Sequence, residues 1–221
     1  MTASTPHQSP APALVAPAVP GATPADAPSL QVDAVAPDFA LPGLGHAAFR
    51  LADLRGKKVL LSFLRNAQCA ICNLWVATTM RRAPEWRAAG LEVVAVFEST
   101  VEKLAAQFEG RVPSFAVLAD PEGTLHETFQ SRTDHARVTA IAGSAASAEA
   151  LERAARAGFQ PRREEGANFF RIPSEILIRA DGTIALIHVA EDLANHLDPE
   201  VVTQFAHGAP GPARTLKLGS S

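Results

Sequence analysis

The sequence predicts an α/β fold, and three observations carry that expectation. Short apolar runs at 59–64, 91–97 and 115–118 alternate with segments of helical period. Turn and cap residues separate them. The first run, Val59-Leu60-Leu61-Ser62-Phe63-Leu64, is apolar almost without a break, as suits a strand covered on both faces. Strand–helix–strand repetition implies right-handed crossovers and a mainly parallel sheet.

Taken in order, the elements are these. After the first strand, Ile71, Leu74, Trp75, Thr78 and Arg82 recur at helical spacing through 70–89. Leu91 to Phe97 is a second, β-branched strand, and Ser99 or Thr100 can cap a helix to about Glu109. Phe115-Ala116-Val117-Leu118 is a third strand, and Asp120-Pro121-Glu122-Gly123 a turn opening a short helix to about Phe129. The alternation then pauses over about 131–168, read as an insertion beside the core with one helix from Ser147 to Ala157. It resumes as a hairpin, Glu175–Ile178 and Ile184–Val189 around Ala180-Asp181-Gly182. A last helix starts at Asp198-Pro199, with Pro at its first position.

The ends read differently. Residues 1–36 hold seven of the 17 prolines, no Lys or Arg and no apolar period, so they are expected to form a disordered tail. Residues 208–221 are similarly loose. One domain is therefore expected over 37–207. The 20 Lys+Arg against 23 Asp+Glu give a net charge of −3, without the basic field that draws proteins to nucleic acid or anionic lipid. No apolar run reaches the roughly 20 residues of a membrane span, and prolines break the only candidate signal segment, 11–19. The expected address is the cytoplasm.

The chemistry centres on the two cysteines. Cys69-Ala70-Ile71-Cys72 follows a strand and opens a helix, which sets both sulfurs at the positive end of the helix dipole, where a thiolate is stabilised. The spacing also permits a disulfide between them. Against redox chemistry stand half a zinc site, which needs two further ligands that the scattered histidines do not supply, and simple packing. No metal or cofactor is expected. His126, His135, His188, His196 and His207 fall on separate elements and read as surface or packing residues, as Trp75 and Trp86 read as packing.

Ala36-Pro37-Asp38-Phe39-Ala40-Leu41, then Phe49-Arg50-Leu51-Ala52-Asp53-Leu54-Arg55-Gly56-Lys57, then a strand leading into the cysteine pair, resembles the opening of the peroxiredoxin (AhpC/TSA) branch of the thioredoxin-like superfamily. Within it the chain is similar to the C-x-x-C peroxiredoxin-like proteins, the group that includes selenoprotein L. The resemblance covers about 36–130 and 172–206. It implies a thioredoxin-like fold with a central mixed sheet flanked by helices, and a thiol-disulfide oxidoreductase with Cys69 and Cys72 as catalytic residues. It also implies a cis-proline at Pro173, facing the pair and binding substrate, and a kinking proline at Pro84. The plainer readings are a turn before a strand at Pro173 and a helix that ends at Ala83.

The chain departs from the peroxidase signature Pro-x-x-x-Thr-x-x-Cys. Cys72 takes the peroxidatic position, Cys69 replaces the threonine, Arg65 the proline, and Pro173 the family's late arginine. Arg65 or Arg171 is a substitute cation for substrate, or else a solvated surface charge. With no other cysteine, an intrachain disulfide joins Cys69 and Cys72. Either Cys72 is oxidised to a sulfenic acid that Cys69 resolves, or Cys69 attacks a disulfide and Cys72 resolves it. The uncharged Ala70-Ile71 places the potential toward the reducing end of the roughly −270 to −120 mV spanned by such motifs. The expected partners are a peroxide or protein disulfide and a thiol electron donor such as a thioredoxin or glutathione system. The remaining alternatives are a protein disulfide reductase without peroxidase activity and a redox-sensing binding module.

Overall fold

A computed structural model describes residues 30–208. Seven strands form one sheet in the order β2-β1-β5-β4-β3-β6-β7. They are β1 (Ala40–Gly43), β2 (His46–Arg50), β3 (Lys58–Leu64), β4 (Leu91–Phe97), β5 (Ala116–Ala119), β6 (Ser174–Ile178) and β7 (Ile184–Val189). Only β3–β4 and β4–β5 pair in parallel. The sheet is thus mixed rather than mainly parallel, because two hairpins enter it antiparallel, β1–β2 against β5 and β6–β7 against β3.

β3 lies inside the sheet and is covered on both faces, as its unbroken apolar run requires. Leu60 and Leu64 join one cluster with Trp86 of α1 (Ala70–Ala88), Leu104 of α2 (Val101–Gln107) and Val202 and Phe205 of α6 (Pro199–Ala206). Val59, Leu61 and Phe63 join the opposite cluster, with Val96, Phe129 and Ile176. Each such side chain contributes roughly 1.5–3 kcal/mol on burial. The Trp86 indole N–H, buried under α6, donates to Thr203 Oγ1 at 2.8 Å.

Several expectations need correction. Residues 30–36 are not tail. Leu30 and Ala36 are buried, and the backbone of Asp33, Ala34 and Ala36 hydrogen-bonds to Ile184 and Gly182, which lends this stretch the order that its composition lacks. Residues 1–29 and 209–221, where the rest of the expected tails fall, lie outside the described residues. Segment 131–168 contains two helices, α4 (His135–Ala142) and α5 (Ala145–Arg156). Asp134 caps α4, and Ser144 rather than Ser147 caps α5, because its hydroxyl accepts the Ser147 N–H at 3.2 Å. As the helical spacing through 70–89 predicts, α1 does not stop at Ala83. It passes through Pro84, whose missing N–H removes the bond to the Met80 carbonyl, and packing of Ala83 and Trp86 offsets that loss. The short helix after the Asp120 turn is α3 (Thr124–Thr128).

Candidate active site

β3 delivers the chain to a tight turn over residues 66–69, and Cys69 is the cap of α1. Its backbone N–H donates to Asn66 O at 3.1 Å, and its Sγ accepts the Cys72 N–H at 3.2 Å. The two cysteines form a disulfide with Cα atoms 5.3 Å apart. Their exposure differs. Cys72 is 0% exposed in the α1–sheet core, while Cys69 is half-buried between that core and a third apolar cluster of Ile71, Val138, Ala150, Ile172, Ala190 and Leu193. An incoming molecule meets Cys69 first.

Ile172 brings the Pro173 segment to the cysteine pair through that same cluster. The Ile172–Pro173 bond is nevertheless trans, since no cis peptide occurs among the described residues, and the expected cis-proline is corrected. Nor is the segment an open edge. Ile172 O accepts the Ser131 hydroxyl at 2.6 Å, Ile172 N–H donates to Arg132 O, and Pro173 O accepts the Ala190 N–H at 3.0 Å. These bonds hold the strand start in its extended, trans course.

Neither candidate cation is a solvated surface charge. The Arg65 guanidinium is mostly buried; its Nη2 donates to Phe169 O at 2.8 Å, its Nε meets no protein acceptor, and burial pushes its pKa below the usual guanidinium value. Arg171 is 3% exposed and paired with Glu98 through Nε and Nη2, both at 2.8 Å, while its Nη1 meets Glu127 and Ser131 O. Its donors are committed inside the protein. Gly123, at φ 67°, leaves the space that this ion pair occupies.

An AhpC/TSA family model matches residues 32–187. The chain belongs to the AhpC/TSA family. Peroxiredoxin Bcp of Escherichia coli is 27% identical over 100 residues, 45% of this chain and 64% of Bcp, so the match spans less than two thirds of that relative's length. The crystal structure of peroxidoxin BcpB from Mycobacterium tuberculosis superposes with a TM-score of 0.56 at 16% identity, covering 84% of this chain and 99% of BcpB. A Chlorobium tepidum structure assigned as the thiol:disulfide interchange protein DsbE superposes with a TM-score of 0.55 at 24% identity, covering 81% of this chain and all of that one. These two likenesses establish the thioredoxin-like fold.

In this AhpC/TSA chain two histidines, one buried and one partly buried, are built into the framework around the pair. His126 is 0% exposed; its Nε2–H donates to Leu64 O at 2.9 Å, at the end of β3, and its Nδ1 meets Asp120 Oδ2 at 2.7 Å. His196 stacks on Trp75 with ring centres 4.8 Å apart, and its Nδ1 meets Glu175 Oε1 at 2.5 Å. The scattered positions of these residues in sequence gave no sign of either pairing. Among the described residues no cluster of His, Cys, Asp and Glu could hold a metal ion, and no helix is long and apolar enough to cross a membrane.

Asp120 yields a pH prediction. Burial raises its pKa, but the hydrogen bond and charge of His126 and the N–H groups of His126 and Leu125 outweigh that and hold it below the usual carboxylate range. The folded pKa is therefore the lower one, so its stabilisation is present above the unfolded value of about 3.9 and is lost as pH falls through the folded value. Asp120→Asn is expected to cost about 1–3 kcal/mol at neutral pH. It should also flatten the acid limb of stability, as read by urea melts from about pH 2.5 to 7.

Proposed function

We propose that the protein is a thiol-dependent oxidoreductase that cycles Cys69 and Cys72 between dithiol and disulfide, with peroxides as the oxidant in antioxidant defence. The observation that carries this reading is the disulfide at the start of α1 with one sulfur half-exposed and the other enclosed. Membership of the AhpC/TSA family and the likeness to peroxiredoxin Bcp support peroxide as the substrate class.

In the proposed cycle the Cys69 thiolate attacks a peroxide oxygen. An S–O bond forms, the O–O bond breaks, and the alcohol or water leaves with a proton. Cys72 then attacks the sulfenic sulfur, forming the S–S bond and releasing water. An external dithiol or two glutathione-type thiols return two electrons and two protons. A pair that is oxidised only in turnover fits the cytoplasm, where persistent disulfides are rare.

The committed donors of Arg171 favour a second reading, disulfide reduction without peroxidase activity, in which Cys69 attacks a substrate disulfide and Cys72 releases the product. Stopped-flow oxidation of the reduced protein by hydrogen peroxide and an organic hydroperoxide separates the two. Second-order rates well above that of free cysteine are expected. Rates no faster than free cysteine, with turnover on insulin disulfides, would establish the second reading instead. Oxidation that only alters partner capture would identify a redox sensor.

A further inference from the structure

Asn73 directly follows the cysteine pair and is 4% exposed. Its carboxamide is fully used. Nδ2 donates to Ala67 O at 2.8 Å and to Cys69 O at 2.9 Å, while Oδ1 accepts from Gln107 Nε2 of α2 at 3.1 Å. Gln107 Oε1 in turn accepts from Gln68 Nε2 at 3.4 Å. The turn that carries Cys69 is therefore fastened from inside by one amide and braced by a second helix.

The direction of these bonds matters for sulfur chemistry. A thiolate is stabilised by N–H groups at a helix start and destabilised by carbonyl oxygens turned toward it. Asn73 Nδ2 draws the Ala67 carbonyl inward and shares the Cys69 carbonyl with the Asn73 backbone N–H, which holds it along α1 at 3.0 Å, and the N–H that then faces Cys69 Sγ is that of Cys72, at 3.2 Å. We propose that Asn73, braced by Gln107, is a positioning residue that keeps the Ala67 carbonyl and its turn away from the Cys69 sulfur and so holds its thiolate against the Cys72 N–H. This rests on the Cys69/Cys72 couple proposed above.

Both test variants leave in place the titratable groups on the elements around the pair. These are Arg65 on its own loop, Glu98 with Arg171, and Glu164 with Lys103 beyond Ser99. They also include His135 and Arg137 on α4, the Glu149–Arg153 pair on α5, Asp192 beside Leu193, and His196 with Glu175 behind Trp75.

The test is the pH dependence of iodoacetamide alkylation of the reduced full chain, with the label located at Cys69 by mass spectrometry, for wild type, Asn73→Ala and Gln107→Ala. Wild-type Cys69 is expected to titrate below the free-thiol value of about 8.5. Asn73→Ala is expected to raise that pKa by about one unit, a loss of thiolate at neutral pH of up to about tenfold, and Gln107→Ala to raise it less. A merely structural role would move the melting temperature and leave the pKa alone. Unchanged pKa values in folded variants beside a lowered wild-type value overturn the clamp. If Asn73→Ala does not fold, Gln107→Ala decides by the same criterion. A wild-type Cys69 that titrates like free cysteine would sink the underlying couple, and the clamp with it.

Discussion

Cys69→Ser is expected to reduce turnover to background, whereas Cys72→Ser should react once and stop. Both follow from the unequal burial of the two sulfurs. Cys72 is enclosed in the α1–sheet core at 0% exposure, so with Cys69 gone no thiolate is presented to substrate. With Cys72 gone, the half-exposed Cys69 still attacks, but no second sulfur lies within disulfide reach to resolve the product. The reduced Cys72→Ser protein should accumulate a dimedone-reactive sulfenic acid with peroxide, or a stable mixed disulfide with an aromatic disulfide, each as one adduct per chain at Cys69. The opposite pattern, trapping on Cys72 in the Cys69→Ser protein, would show that the attacking sulfur is the one in the peroxidatic position of the family signature.

That reversal is a live test because the sequence leaves both sulfurs open as the attacker. Alignment with Pro-x-x-x-Thr-x-x-Cys places Cys72 in the peroxidatic position, while the folded chain presents Cys69. Unbroken apolar runs and period-3.6 spacing made β3, β4, α1 and the β6–β7 hairpin legible, since each is buried deeply enough to mark the sequence. The β1–β2 hairpin and α4 were not legible. β2 is mostly exposed and α4 buries Val138 alone, so neither carries a strong apolar period. The cysteine pair could be read because its spacing is local. Asn73 with Gln107, His126 with Asp120 and Glu175 with His196 could not, because each is a polar pairing made by tertiary contact or a turn, which a single sequence records only as isolated polar residues. Leu30 to Ala36 went wrong for the related reason that its partners, Gly182 and Ile184, lie far along the chain.

Arg171→Met is expected to be the most destabilising single change outside the core, at about 3–5 kcal/mol. The guanidinium spans Glu98 and Glu127 at 3% exposure, and the Glu98 carboxylate is itself 9% exposed. Removing the cation leaves that carboxylate buried without its counter-charge, and the cost comes from the abandoned partner more than from the lost bonds. For a chain of this size the melting temperature should fall on the order of 10 °C. The double variant Glu98→Gln with Arg171→Met removes both charges and should recover much of the loss, so a melting series over wild type, both singles and the double gives the coupling. Because Arg171 directly precedes Ile172, which packs with Ile71 beside Cys69, the folded single variant should also react more slowly with peroxide at a temperature below its melt. A double variant no more stable than Arg171→Met would show that the ion pair is not what holds this strand start, and that Ser131 and Arg132 hold it alone.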